Sequence, residues 1–273
     1  MAADGDGRLV VALGASDLSV LALDGIPEIR PGDDLPAILA DALARLGDRL
    51  AWTGGALRPD DVLVVTQKVV SKAEGAIVDL ATIEPRPEAV AFAERWDRDP
   101  RQVEVVLREA VRVVRMANGV IITQTRHGFV CANGGVDASN VGPESGSVVT
   151  LLPVDPDASA ARIRARVRER HDVDLAVVIS DSFGRPWRWG IVDVAIGTSG
   201  LLPLDDLRGT PDADGRVMRS TVRAVADEIA SAAELVLGKV AGRPAALVRG
   251  GRPPRGEGTV RETLIPEAMD LFR

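Results

Sequence analysis

Tyrosine is absent from this 273-residue chain, cysteine occurs once and histidine twice, and each scarcity removes a class of chemistry. A single cysteine, Cys131, allows no internal disulfide and no thiolate-built metal site. With His127 and His171 as the only imidazoles, a multi-histidine zinc centre is excluded too. Aromatic residues make up 3% of the chain, which leaves little stacking surface for nucleic acid, and the formal net charge of −7 points the same way. No window approaches eighteen consecutive apolar residues, so no transmembrane helix is expected. The N-terminus lacks the basic-then-apolar order of a signal peptide. Together these absences predict a cytoplasmic protein without a nucleic-acid or membrane partner.

Three nucleotide and hydrolase signatures are also missing. The chain has no G-x-x-x-x-G-K-[ST] loop, no G-x-G-x-x-G fingerprint and no G-x-S-x-G elbow. Any nucleotide cradle must therefore be built another way. Lysine is scarce as well: of 33 basic residues, only Lys68, Lys72 and Lys239 are lysines. Codon bias toward arginine explains most of this. A chain that otherwise writes arginine can still keep lysine where a compact point charge is needed, as at a phosphate.

What is present is an ordinary globular composition, 46% apolar and 27% charged, long enough for one compact domain or two intimately packed ones. Apolar runs predict strands at 9–13, 18–23, 62–65, 111–116, 120–123, 129–132, 175–179, 191–196 and 245–248, with Asn118-Gly119 as a tight turn. Helical stripes are expected at 35–50, capped by Asp33 or Asp34, and at 87–96, 100–110 and 157–170. Residues 217–237 read as the longest helix, stopped by Gly238. Interleaved strands and helices with several hairpins predict an α+β fold: mixed, largely antiparallel sheets flanked by helices.

Three segments carry chemistry. In the first, the apolar strand Val177-Val178-Ile179 runs into Ser180-Asp181-Ser182-Phe183-Gly184-Arg185. Read as a loop at a strand's carboxyl end, it offers hard oxygens for magnesium or manganese and arginine for phosphate or carboxylate. In the second, Asn133-Gly134-Gly135-Val136-Asp137-Ala138-Ser139-Asn140, paired glycines allow close ligand approach and Asp137 is another metal-ligand candidate. The third holds Gln67, Lys68 and Lys72, whose spacing puts both lysines on one face. On these residues alone, a metal-dependent phosphoryl-transfer enzyme, a nucleotide-binding module without turnover and a scaffold with no site all remain open.

Five motifs in order carry a resemblance. Gly25-Ile26-Pro27 with Pro31-Gly32-Asp33-Asp34, Ser71 to Gly75, Gly135 to Val141, Ser180 to Pro186 and Val225 to Ala230 resemble the coenzyme F420-0:L-glutamate ligase family over about residues 20–250. The resemblance implies a fold of two tightly packed lobes. It further implies that GTP activates the lactyl carboxylate of coenzyme F420-0 as an acyl phosphate, and that L-glutamate then attacks to give an amide. Further γ-linked glutamates follow in some members. Other GTP-using phosphotransferases and non-catalytic deazaflavin binders are the alternatives.

By position, Asp137, Asp181 and Arg185 take the catalytic expectation, with Asp137, Asp181 and Ser182 as ligands for two Mg2+ or Mn2+ ions and potassium as a further ion. Ile26, Pro27, Glu28, Ile29, Gln67, Lys68, Lys72, Asn140, Gly238 and Lys239 resemble the family's nucleotide contacts. One departure is Lys239, where the family pattern carries an acid as a second-metal ligand. Either other groups hold that ion or the correspondence shifts by a residue or two. The resemblance also implies a homodimer. It makes residues 1–250 the ligase domain and 251–273 a tail or the start of a linker to a flavin-binding domain.

Overall fold

The computed structural model describes residues 2–3, 9–10, 17–51, 53–139 and 146–271. Asn140 and most of the predicted strand at 9–13 lie outside them; Leu9–Val10 pairs antiparallel with Ala2–Ala3. The main sheet has five strands in the order Arg188–Ser199, Ala176–Arg185, Val62–Thr66, Ala245–Arg249, Ser19–Ala22. Its three inner strands are the continuous apolar runs of the sequence. Val62 to Val65, Ala176 to Ile179 and Ala245 to Val248 are all buried, because helices cover both faces.

Only Val62–Thr66 and Ala176–Arg185 run parallel; the other ladders of this sheet are antiparallel. That makes the fold α+β with mixed, mostly antiparallel sheets, as expected. A second sheet of Ala110–Ala117, Val120–Thr125 and Val130–Ala132 turns at Asn118-Gly119, both left-handed (φ 54° and 73°). It shares a separate small core with the helices Pro87–Trp96 and Pro100–Glu109, built on Ala89, Ala93, Val103, Val106 and Ile121.

Helix starts follow the sequence. Asp34 accepts a hydrogen bond from Ala37 N at 3.0 Å and begins Leu35–Ala44, and Asp155 does the same for Pro156–His171 through Ala158 N at 3.0 Å. Gly238, with φ 61°, ends Val225–Leu237.

The helix expected at 35–50 is broken at Arg45-Leu46 into Leu35–Ala44 and Gly47–Ala51, and two further expectations are overturned. Residues 217–224 are not helical. Their backbone groups are satisfied by the facing segment 205–212, as in Met218 N to Thr210 O at 2.9 Å and the short ladder Asp205–Asp206 with Val222–Arg223. The helix is thus thirteen residues, and Pro156–His171, at sixteen, is longer. The segment after Ile179 is not a loop either. It continues as strand to Arg185, because Arg188–Ser199 pairs along its whole length and the turn comes only at Pro186-Trp187.

A buried ion pair ties the sheet to the preceding loop. Arg249 and Asp61, 2% and 0% exposed, meet bidentately at 2.7 Å, and the guanidinium also donates to Thr53, Gly55 and Ala56 carbonyls. Val260, from a short helical turn at Val260–Thr263, joins the main core.

Candidate active site

The parallel pair of strands sets the site. Thr66 aligns with Ser180, so Gln67-Lys68 turn out of the sheet beside Asp181-Ser182, where the neighbouring strand runs on past its parallel partner. After Thr66 the chain turns into the helix Gln67–Ala73, where the four-residue spacing puts Lys68 and Lys72 on one face. Gln67 is held from below, its amide donating to Ser71 Oγ (2.7 Å) and the Leu151 carbonyl (3.0 Å).

The segment carrying Asp137 approaches from the smaller sheet and is pinned by mutual backbone hydrogen bonds between Asp137 and Thr150 (3.0 and 2.8 Å). Gly134 and Gly135 have positive φ, 61° and 71°. The expected role of these glycines, room for a ligand, is corrected. A Cβ on Gly135 would meet Leu152 at 2.5 Å, so a packed side chain fills that space.

These segments line one cleft of about 900 Å³. Ile26, Pro27, Glu28, Ile29, Gln67, Lys68, Lys72, Asp137, Asp181, Ser182, Gly238 and Lys239 all face it. Arg185 is not among its lining residues; it sits at the far end of the hairpin, its buried Nε without a hydrogen-bond partner. Sequence reasoning missed Asp193 and Glu234, which line the cleft beside Lys239. Asp193 did leave a signal: a lone acid inside Ile191-Val192-Asp193-Val194-Ala195-Ile196 is costly unless something uses it.

The charges are unevenly matched. Lys68 Nζ lies 2.8 Å from Asp137 Oδ2 and donates to Ser139 Oγ (3.0 Å), while Ser139 N donates to Asp137 Oδ1 (2.7 Å). Burial works to raise the Asp137 carboxyl, but Lys68 and the Ser139 amide outweigh it and hold it below the usual range. Lys72, almost buried, pairs with Glu28 at 2.5 Å. Lys239 pairs with Asp193 (3.1 Å) and Glu234 (3.0 Å) and donates to Ser182 Oγ. Asp181 has no ion pair among the described residues. Burial pushes its carboxyl up to about 7, and the Asp137 and Asp193 carboxylates add to the shift.

Other candidates fall away. Burial, with help from the Asp181 charge, pushes the Cys131 thiol up to about 12, the behaviour of a core residue. His127 Nε2 is taken by the Pro153 carbonyl at 2.8 Å. Among the described residues no three carboxylate, imidazole or thiol side chains gather closely enough to hold a metal ion by themselves. No helix among them is long and apolar enough to cross a membrane.

The family model described as F420-0:Gamma-glutamyl ligase matches residues 25–250. The chain belongs to this family. It is similar to the coenzyme F420:L-glutamate ligase of Methanothermobacter thermautotrophicus, 42% identical over 94% of this chain and 99% of the relative. The enzyme of that name from Methanopyrus kandleri is 44% identical over the same shares. The one from Methanocaldococcus jannaschii is 42% identical over 78% of this chain and 84% of its own length.

In this member of the γ-glutamyl ligase family, four of the five ordered motifs place residues in or beside the cleft. The fifth, Val225 to Ala230, acts from behind it. The Asp227 carboxylate accepts a hydrogen bond from Ala195 N at 2.9 Å and fixes the helix Val225–Leu237 to the strand that carries Asp193.

Proposed function

We propose that this chain joins L-glutamate to the lactyl carboxylate of coenzyme F420-0, using GTP and divalent metal. The observation that carries this reading is that all three lysines of an arginine-rich chain line one cleft together with Asp181, a half-buried aspartate that has no ion pair among the described residues. Such a cleft is suited to phosphate oxygens and a cation together. That the relatives are coenzyme F420:L-glutamate ligases supports ligation of L-glutamate to the deazaflavin.

In this reading the lactyl carboxylate oxygen attacks the γ-phosphorus of GTP, the bond to the β-phosphate oxygen breaks, and GDP leaves. The glutamate amine then attacks the acyl carbon, losing a proton, and phosphate departs as the amide forms. Lys68 and Lys72 sit where they can offset phosphate charge, and holding both anionic substrates in one geometry is the larger part of the catalysis. Ile26 to Ile29 and residues of the loop after Gly238, among them Val240, Gly242 and Pro244, line the cleft and would contact the nucleoside.

Magnesium or manganese fits the donors present. Asp137 and Asp181 are hard oxygen ligands, and two carboxylates suffice where phosphates and water complete the shell. Bound there, the ion would offset charge on the transferring phosphoryl group. A potassium requirement belongs to the same proposal, as does a homodimer. Val120 and Val130, exposed on the same face of the three-stranded sheet, offer the dimer an apolar surface.

The test is mass spectrometry of the deazaflavin product after incubation with GTP, L-glutamate and Mg2+ or Mn2+. A gain of one glutamyl residue, or of several if γ-linked additions follow, with matching GDP release is the expected result. GDP release that ignores glutamate and leaves the deazaflavin mass unchanged would instead mark a phosphotransferase. Binding without GDP release would mark a non-catalytic module.

A further inference from the structure

Lys239 differs from the other two cleft lysines in what holds it. Its ammonium donates to Ser182 Oγ and lies 3.1 Å from Asp193 Oδ1 and 3.0 Å from Glu234 Oε1. An ammonium has three N–H donors and no acceptor. Three oxygens from three separate elements contact it, from the strand Ala176–Arg185, the strand Arg188–Ser199 and the helix Val225–Leu237, while its stem stays about half exposed. A hydroxyl and two carboxylates are also the hard-oxygen set that a divalent ion prefers.

Asp193 makes the position a demanding one. It is 2% exposed, and the hydroxyls of Ser180 (3.0 Å) and Ser182 (2.6 Å) both donate to it. A buried carboxylate of this kind needs a positive partner. Each acid lining the cleft has a lysine against it, with one exception. Lys72 meets Glu28, Lys68 meets Asp137, and Lys239 meets Asp193 and Glu234, which leaves Asp181.

The geometry points to Lys239 as a tethered cation. We propose that its ammonium fills the Ser182–Asp193–Glu234 position, so that this chain takes up one divalent ion with its nucleotide, at Asp137 and Asp181, and not two. The proposal rests on the metal-and-nucleotide reading above and fixes the number of ions within it. It also gives Ser182 a different task from the one expected of it: its oxygen accepts a hydrogen bond from the lysine ammonium, and its hydroxyl donates one to Asp193.

The test counts ions and needs no turnover. Free Mn2+ is followed by its electron paramagnetic resonance signal while the protein is titrated in the presence of a non-hydrolysable GTP analogue. Wild type and K239R should bind one Mn2+ per chain, and K239A and K239E two, because removing the ammonium frees an oxygen-lined position for the metal. Circular dichroism establishes that the variants fold. Two ions in wild type, or one ion in folded K239A and K239E, would overturn the tethered-cation assignment while leaving the proposed function standing. A folded wild type that binds no Mn2+ with the analogue would overturn the proposed function, and this inference with it.

Discussion

Ser182 and Asp193 lie directly opposite each other in the antiparallel hairpin, and the serine hydroxyl donates to Asp193 Oδ1 at 2.6 Å. The contact joins a residue that the sequence marks as chemical to one that it hides within an apolar run. Replacing Asp193 by asparagine keeps the shape and removes the charge that Lys239 faces. D193N should fold but lose roughly 1–3 kcal/mol, the usual scale for stripping a buried charged hydrogen-bond partner. Urea unfolding of wild type and variant measures it; equal midpoints would mean that the pair contributes nothing to stability.

Asp181 is the cleft acid with no cation of its own, so its replacement should damage function more than folding. D181N should keep the wild-type unfolding midpoint and lose metal-dependent amide formation by at least about 10–100-fold, the loss seen when groups that only orient metal ligands are removed. The glutamylation assay checks this, with unfolding curves as the companion measurement. Turnover within a few-fold of wild type would remove Asp181 from the metal site.

Gly135 combines a positive φ with a Cβ position 2.5 Å from Leu152. G135A should therefore cost roughly 1–3 kcal/mol through backbone strain and overpacking. Gly184 has ordinary φ and open space around its Cβ position, so G184A should lie within about 0.5 kcal/mol of wild type. Denaturant midpoints of the two variants would separate the cases.

The Glu104 carboxylate is gripped by Arg86, through Nε and Nη2 at 2.9 and 3.0 Å, and by Arg108 at 2.7 Å. The Arg86 hydrogen bonds, with the Arg86 amide and Arg108 assisting, hold its carboxyl down at about 2 in the folded protein. The unfolded chain protonates Glu104 at the ordinary glutamate value, well above that. The contribution to stability is therefore complete above the ordinary value and fades as pH falls toward about 2. E104Q should be less stable than wild type near pH 7, and the gap should narrow steadily below about pH 4.5. Thermal melts across pH 2–7 test this, and a gap independent of pH would contradict it.

Much of the framework is written locally. Continuous apolar runs mark strands buried on both faces, Asp34 and Asp155 announce helix starts, and Gly238 announces a stop. The site is legible where its residues follow strand ends, as with Lys68 after Thr66. It was misread where pairing decides the outcome. Ser180 to Arg185 has the composition of a loop, and it is strand because Arg188–Ser199 lies alongside. Residues 217–224 have a helical pattern, yet their hydrogen bonds go to 205–212. Asp193 and Glu234 come into the site through the register of a hairpin and the seat of a helix, neither of which is encoded within a short window.

The gathering of Lys68, Lys72 and Lys239 in one cleft has a practical consequence. Every ε-amine of the chain belongs to the same cavity, so a lysine-directed acylating reagent has no target outside it. A lysine-directed label on this protein is thus an active-site probe by default. Protection from it by a bound nucleotide would report occupancy of the cleft without a mutation, a radioisotope or an engineered tag.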